Sequence, residues 1–261
     1  MSWLVSLREK LHQPPAGGWT RHQFAALDQL HLGGMEATKR LLKWLPNNAI
    51  FGLDMAAGLG GSARLAADIY QCQMMACDIN QDYIQAAKML NHALMPAPNC
   101  QYQVANSLAL PFANNTFDFI ISQHGMMSIA DKGGLMQEAG RVLKDNGYLL
   151  VHEIYLSPAA KAQEIYYPTP WADKRQDSYL QTWKEFLDQA QGLGWYPEAQ
   201  DNQTLNSLKW LQEAATNDAA ATFNARLTLG SKAGTMHNNM MLNLQQELIE
   251  VRTARLSKIS V

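Results

Sequence analysis

The feature that most constrains the fold is the stretch of residues 50–62, in which a short apolar run leads into a turn of small residues. The run has the length of a buried strand, and Ser62 opens a segment with good helix propensity. Glycines let the backbone approach a ligand closely, while the free N–H groups and the dipole of a helix N-terminus favour negative charge. A strand, a glycine turn and a helix in this order predict a site for a nucleotide-like ligand.

Length and composition set the broad class of the protein. The chain has 261 residues, of which 47% are hydrophobic and 17% charged. This predicts one ordered α/β domain, or such a domain with a substantial cap, and it argues against disorder. The formal net charge of -2 gives no electrostatic footprint for nucleic acid or an anionic membrane. We therefore expect a small neutral or zwitterionic substrate, and either a monomer or a homodimer.

The cysteines and the first residues predict the compartment. Cys72, Cys77 and Cys100 are odd in number and lack metal-ligand spacing, which favours buried free thiols in a reducing compartment and no metal site. The start of the chain has no basic segment and reaches Arg8 too early for a signal peptide. No stretch approaches the length of a membrane span. We expect a soluble, cytoplasmic protein.

The middle of the chain alternates between strand and helix. Helical patterns cover residues 62–70, 81–94 and 134–143. The apolar runs between them end near Asp54, Asp78, Asn106, Gln123 and Glu153. Such alternation predicts right-handed βαβ units, a mostly parallel doubly wound sheet and helices on both faces. Ligands of such sheets bind beyond the carboxyl ends of the strands, so the residues at these ends are the candidates for function.

The two ends of the chain do not show this alternation of strands and helices. Residues 1–34 form an N-terminal extension, a predicted lid, which prolines and glycines at 14–18 divide in two. Residues 35–261 form the main domain, with cap insertions within 155–246. In detail, the patterns predict helices at 35–45, 179–191 and 205–246, and strands at 195–199 and 248–259.

The glycine turn by itself permits a dinucleotide. Gly58, Gly60 and Ala63 satisfy the G-x-G-x-x-A fingerprint, and Asp78 follows about twenty residues later. However, Asp54 lies four residues before Gly58, where a pyrophosphate needs no acid. An acid there suits a ligand with an ammonium group. S-adenosylmethionine (SAM) has such a group, together with a carboxylate for the helix end and a ribose diol for Asp78.

Residues 28–153 resemble a class I SAM-dependent methyltransferase. The resemblance is carried, in the family's order, by residues 53–61, 77–80, 106–112, 117–120 and 141–149. It implies a Rossmann-like fold with seven strands, mostly parallel with an antiparallel last strand, a helical cap, and SAM as the cofactor. It also implies cofactor contacts by Asp54, Gly58, Gly60, Asp78, Ile79, Asn106, Ser107, Leu108 and Gln123.

Within the family, residues 60–64, 122–124 and 131–132 look most like the glycine, sarcosine and dimethylglycine methyltransferases. Asn106 and His124 depart from that pattern, because Asp is usual at both places. The resemblance implies a small-molecule acceptor, first an amine or amino-acid derivative methylated on nitrogen. The alternative is O- or C-methylation of a hydroxylated aromatic or quinone-type precursor. Two other classes stay open: a SAM-binding protein without methyl transfer, and an NAD-dependent dehydrogenase.

The acceptor side is predicted from histidines and aromatic residues. His124 follows the fourth strand and is the candidate general base, although a polar loop histidine without chemistry is an equal alternative. His152 and Glu153 are more simply explained by capping or strand-end solvation. His31 belongs to the predicted lid. Several aromatic side chains follow Glu153, namely Tyr155, Tyr166, Tyr167 and Trp171. They could contact a substrate cation through cation–π interactions, or they could form the packed core of the cap.

Overall fold

The computed structural model describes residues 3–46, 48–217 and 224–258. Three of the predictions extend beyond these ranges. The start of the N-terminal extension, part of the cap and the last residue of the final strand fall at residues 1–2, 218–223 and 259, which lie outside the described residues.

The described strands form one seven-stranded sheet. They are β1 (Phe51–Met55), β2 (Gln73–Asp78), β3 (Cys100–Val104), β4 (Phe117–Gln123), β5 (Leu143–Leu156), β6 (Trp195–Asn202) and β7 (Ile249–Lys258). The order across the sheet is β3-β2-β1-β4-β5-β7-β6. Strands β1 to β5 pair in parallel, whereas β7 runs antiparallel to both β5 and β6. The predicted fold class, a doubly wound sheet with an antiparallel last strand, is confirmed.

Helices cover both faces of the sheet. They are α1 (Trp3–Leu11), α2 (Arg21–Asp28), α3 (Gly34–Leu42), α4 (Gly61–Tyr70), α5 (Gln81–Ala93), α6 (Lys132–Val142), α7 (Trp183–Gly192), α8 (Thr204–Asn217), α9 (Arg226–Leu229) and α10 (Ala233–Gln245). None of these described helices has both the length and the apolar character that crossing a bilayer requires.

Capping explains where two helices differ from their predicted bounds. Asp131 accepts a hydrogen bond from the backbone N–H of Gly134, so α6 begins two residues earlier than the predicted start at 134. Thr182 and Glu185 form a capping box that starts α7 at Trp183. Residues 179–182 were predicted as the first turn of that helix, and this was wrong.

The core has a layer on each side of the sheet. One layer packs Leu53, Phe117 and Phe186 with the inner sides of α6 and α7. The other packs side chains of α3, α4 and α5 against Phe119. Burial on both faces explains why the central strands are continuous apolar runs rather than alternating ones. A site on this sheet therefore has to lie at the ends of the strands rather than on its faces.

The predicted extension and cap pack as separate hydrophobic clusters beside this core. Leu7 and Phe24, from α1 and α2, pack against Leu90 of α5. Met240 and Leu244 of α10 pack against Val251 of β7. Both clusters border the carboxyl-end edge of the sheet.

Candidate active site

A cavity of about 1220 Å³ lies at the carboxyl ends of β1, β2 and β4. Its walls come from the glycine turn, α2, the loop after β4 and the cap helices α8 to α10. Ligand pockets commonly measure about 300–1,000 Å³, so this cavity has room for a nucleotide-like cofactor and a second molecule.

Asp54 is a buried carboxyl group at the end of β1 that faces this cavity. Its side chain is 2% exposed, and it accepts one hydrogen bond, from the backbone N–H of Ala63 at 3.0 Å. Burial, with a smaller contribution from the charge of Asp78, raises the pKa of Asp54 to about 7. A cationic group beside it would stabilise the ionised form. The site therefore fits the ammonium group of SAM.

Asp78 ends β2 and connects two parts of the cavity wall. Its carboxylate accepts hydrogen bonds from the backbone N–H groups of Gly58 at 2.9 Å and Asn80 at 2.8 Å. Burial raises the pKa of Asp78, while these hydrogen bonds oppose the rise. The carboxylate thus holds the glycine turn against the first turn of α5, and it lines the cavity.

The three glycines of the turn serve different purposes. Gly58 has φ +53°, and a Cβ added there would meet no atom within 4 Å, so its backbone borders open space. A Cβ on Gly60 would lie 2.6 Å from the ring of Tyr102, and one on Gly61 would lie 2.3 Å from the carbonyl oxygen of Asp28. Gly60 was predicted to contact the cofactor, but it does not line the cavity; its small size is needed for packing.

The other predicted cofactor contacts all border the cavity. Ile79 and Leu108 are exposed apolar side chains, 70% and 38% respectively, which suits contact with a flat base. The other predicted cofactor residues that line the cavity are Asn106, Ser107 and Gln123. Tyr83 of α5 also lines it. Its place follows from the packing of α5, which the linear pattern did not reveal.

Three histidine rings cluster beside the ends of β4 and β5, and two of them, those of His31 and His124, line the cavity. The rings of His124 and His152 stack with centroids 5.2 Å apart, and that of His31 lies 6.0 and 5.8 Å from them. Nε2 of His152 is 2.8 Å from the carbonyl oxygen of Leu32, so it carries the proton, and Nδ1 accepts from the hydroxyl of Thr253. Both nitrogens of His152 are thus engaged within the protein.

His124 differs from its neighbour because Nε2 is buried without a hydrogen-bond partner among the described residues. Its backbone has φ +53°, which is uncommon for a residue other than glycine. Burial and the nearby imidazoles hold the pKa of His124 well below 6.5, and burial lowers those of His31 and His152 to about 3 and about 4. His124 and His31 line the cavity as neutral rings.

Glu153 fixes the loop that carries His124. Its side chain is fully buried and accepts hydrogen bonds from the hydroxyl of Ser122 at 2.7 Å and from the backbone N–H groups of Gly125 and Met126, both at 3.2 Å. Burial raises the pKa of Glu153 to about 7. Glu153 is therefore a positioning residue rather than one that contacts a ligand.

The aromatic residues predicted for the substrate site are only partly in place. Trp171 lines the cavity. Tyr155 is 2% exposed and packs against Trp183, with ring centroids 5.0 Å apart, so its predicted contact with substrate was wrong. Tyr167 packs in the cap cluster and is not part of the cavity wall, which corrects its assignment too. Two unpredicted aromatic residues, Tyr179 and Trp210, line the cavity instead.

The described residues contain no group of three or more His, Cys, Asp and Glu side chains arranged to hold a metal ion. This includes the histidine cluster.

Comparison with known proteins finds a family match in the central part of the chain. Residues 53–151 match the family described as "Methyltransferase domain". The ubiquinone/menaquinone biosynthesis C-methyltransferase UbiE of Klebsiella pneumoniae is 34% identical over 119 residues, covering 44% of this chain and 47% of that protein. A phosphoethanolamine N-methyltransferase of Triticum aestivum is 27% identical over 184 residues, covering 69% and 35%. The chain thus spans half or less of the length of these relatives.

Solved structures match over more of the chain. A sarcosine dimethylglycine methyltransferase from Galdieria sulphuraria, titled putative, has a TM-score of 0.66 at 18% identity, covering 86% of this chain and 85% of that one. A phosphoethanolamine N-methyltransferase of Haemonchus contortus, solved with SAM, has a TM-score of 0.74 at 19% identity, covering 92% and 58%. The predicted resemblance is confirmed: residues 53–151 match the methyltransferase domain, and the fold is shared with these solved methyltransferase structures.

Proposed function

We propose that the chain is a SAM-dependent methyltransferase that methylates an amine nitrogen of a small molecule. The observation that carries the proposal is the pair of carboxylates, Asp54 and Asp78, which face one cavity from adjacent strand ends beside the glycine turn. A dehydrogenase site would not need the buried acid at Asp54, and the match to the methyltransferase domain counts against it.

The residues around the cavity can hold each part of the cofactor. Asp54 would pair with its ammonium group, and the N-terminus of α4 offers N–H groups to its carboxylate. Asp78 would accept hydrogen bonds from the ribose hydroxyls, and Ile79 and Leu108 would flank the base. When bound, SAM supplies a methyl group on a sulfonium that is already an activated leaving group.

The acceptor side provides a base and fixed alignment. An ammonium group has no free electron pair, so an amine acceptor must lose a proton before it can react. The neutral ring of His124 lines the cavity, and we assign it as the acceptor of that proton. Glu153 keeps the His124 loop in place, and alignment of two reactants contributes about 7–11 kcal/mol in favourable cases.

The relatives support methyl transfer to nitrogen without deciding it. The two phosphoethanolamine enzymes and the sarcosine dimethylglycine enzyme are named for N-methyl transfer or N-methylated compounds. O- or C-methylation of a hydroxylated aromatic or quinone-type compound is the second candidate. It is favoured by the 34% identity with the C-methyltransferase UbiE and by the apolar side chains that line the cavity beside His124.

The test is turnover with SAM and a panel of amines and phenols, with release of S-adenosylhomocysteine (SAH) and the methylated product both measured. We expect products from amines. Products from phenols alone would favour O- or C-methylation of a hydroxylated aromatic compound over methylation of an amine. Binding of SAH without turnover of any member would instead indicate a SAM-binding protein that does not methylate.

A further inference from the structure

The cavity is lined by several carboxylates, whereas none of its described lining residues is Lys or Arg. Asp54 and Asp78 face the cofactor side. Glu36, Asp131 and Glu213 also line the cavity, and all three are solvent-exposed. This distribution of charge attracts cations and gives a bound anion no counter-charge.

Asp28 also lines the cavity, but its charge is compensated. Its carboxylate lies 2.6 Å from the guanidinium of Arg64, which is fully buried behind the glycine turn. Because Arg64 does not border the cavity, it is not available to a ligand there. Glu36 and Glu213 also have cationic neighbours, Lys39 at 2.7 Å and Lys209 at 3.9 Å. Neither lysine is among the described lining residues, so the cavity wall itself presents carboxylates but no Lys or Arg.

Aromatic faces form part of the acceptor wall. The indole N–H of Trp171 donates to the hydroxyl of Ser178 at 2.9 Å, and the backbone N–H of Tyr179 donates to the carbonyl of Met127 at 2.9 Å. Trp210 reaches from α8 to Gly34, where an added Cβ would lie 3.0 Å from its ring. These contacts fix the indoles of Trp171 and Trp210 and the backbone of Tyr179, and aromatic faces attract cations such as ammonium groups.

Much of the acceptor wall is apolar. Buried members that line the cavity include Met127, Ile154, Leu211, Met236 and Met240. A carboxylate or phosphate placed among them would lose its hydration without gaining a salt bridge. The further lining histidines, His22 and His237, do not offer the paired donors with which Arg binds such groups.

We propose that the acceptor is an amine with an apolar body that carries neither carboxylate nor phosphate, and that its ammonium group binds against Trp171, Tyr179 and Trp210. This inference rests on the proposed function, because it describes the substrate of the same site.

The test measures binding by calorimetry to protein saturated with SAH. Two matched sets are used: 2-phenylethylamine, 2-phenylethanol and phenylalanine; and pentylamine, pentanol and norleucine. In each set the amine and the amino acid differ only by the carboxylate, and the alcohol removes the positive charge. Ethanolamine and phosphoethanolamine form a further pair. We expect each amine to bind at least about tenfold more tightly than its counterpart with a carboxylate or phosphate. The reason is that the added anionic group would lose hydration in the cavity without gaining a salt bridge.

Two variants locate the recognition. Trp210→Leu should weaken amine binding about 3–30-fold, the range of a cation–π contact, and leave the alcohol unchanged. Tyr196→Leu, at an exposed aromatic residue of β6 outside the cavity, is the matched control. Thr228→Lys places a cationic side chain at a half-buried position of α9 that lines the cavity. It should therefore allow phenylalanine or norleucine to bind through the carboxylate. SAH affinity is measured on each variant to show that it is folded.

Equal or tighter binding of the amino acids or phosphoethanolamine would overturn the inference, as would the failure of every amine to bind. Either result would leave the proposed cofactor site intact. Failure of the wild-type protein to bind SAH is a different outcome, and it would overturn the proposed function itself.

Discussion

At the scale of single residues, Asp54 couples proton binding to cofactor binding. Its pKa is raised by burial from 3.8 to about 7, so the folded protein favours the neutral form. The contribution of Asp54 to stability is therefore present at low pH and is lost as the pH rises through about 7. A bound ammonium group reverses this preference, because it stabilises the carboxylate.

Proton release on binding SAH, which keeps the ammonium group, follows from this coupling. At pH 7 we expect SAH binding to release protons, and its affinity to fall as the pH is lowered from about 8 to 6, where Asp54 becomes protonated. Calorimetry in buffers of different ionisation enthalpy measures the release. Asp54→Asn should abolish it, and Asp145→Asn, at an exposed position far from the cavity lining, should not. Affinity independent of pH, without proton release, would contradict this role.

His124 is expected to act on the acceptor and not on the cofactor. His124→Ala should lower turnover about 10²–10⁴-fold, the usual contribution of a general base, and leave SAH affinity unchanged. Because its pKa lies well below 6.5, His124 itself should cause no loss of activity between pH 8 and 6. His92→Ala, on an exposed part of α5, serves as the control in steady-state kinetics. Full activity of His124→Ala would exclude the role.

The sequence predicted residues at strand ends better than residues of the cap. Asp54, Asp78 and His124 follow apolar runs of a parallel sheet, and the carboxyl ends of such strands meet at one edge. Tyr179 and Trp210 come from a loop and a helix whose positions depend on tertiary packing. No local periodicity indicates which face of such segments borders a cavity.

At the scale of elements, Arg64 connects the glycine turn with the helices around it. Its guanidinium is fully buried and donates to Asp28 of α2, Tyr102 of β3, and the carbonyl oxygens of Leu59 and Ala87. The linear motif contained Arg64, but only the structure shows that it pairs inside the protein. The predicted lid thus has a charged anchor beneath the turn.

Loss of this anchor should be strongly destabilising. Arg64→Met leaves the buried carboxylate of Asp28 without its partner, and we expect the free energy of unfolding to fall by about 3–5 kcal/mol. Urea unfolding measures the change. Lys184→Met breaks the exposed pair with Asp188 and should have little effect. A similarly small effect for Arg64→Met would show that α2 is not anchored by this pair.

The bounds of elements were predictable where local chemistry alone sets them. The predicted helix at 81–94 is observed as Gln81–Ala93, because the side chain of Asn80 caps its start. The predicted helix at 179–191 began too early, because aromatic and apolar residues continue the helical pattern across Thr182. The capping box at Thr182 and Glu185 was the local signal that could have corrected it.

At the scale of the whole molecule, the sheet places the cofactor side and the acceptor side on one edge, and the extension and cap enclose them. The alternation of strands and helices, with the family motifs, was sufficient to predict a seven-stranded, mostly parallel sheet with an antiparallel last strand, but not the order of its strands. The size and chemistry of the acceptor chamber were not predictable, because α2, α8 and α10 approach one another only in the folded chain.

The central claim is that this edge binds SAM through Asp78, and calorimetry with SAH tests it most directly. A carboxylate that accepts two hydrogen bonds from ribose, each worth about 1.5–3 kcal/mol, predicts that Asp78→Ala weakens SAH binding by about two orders of magnitude or more. The control is Asp82→Ala, at an exposed residue in the first turn of α5, four residues after Asp78. It should leave the affinity unchanged. The account predicts wild-type binding of SAH and none of NAD. Equal SAH affinity in the wild type and Asp78→Ala, or binding of NAD in place of SAH, would contradict it.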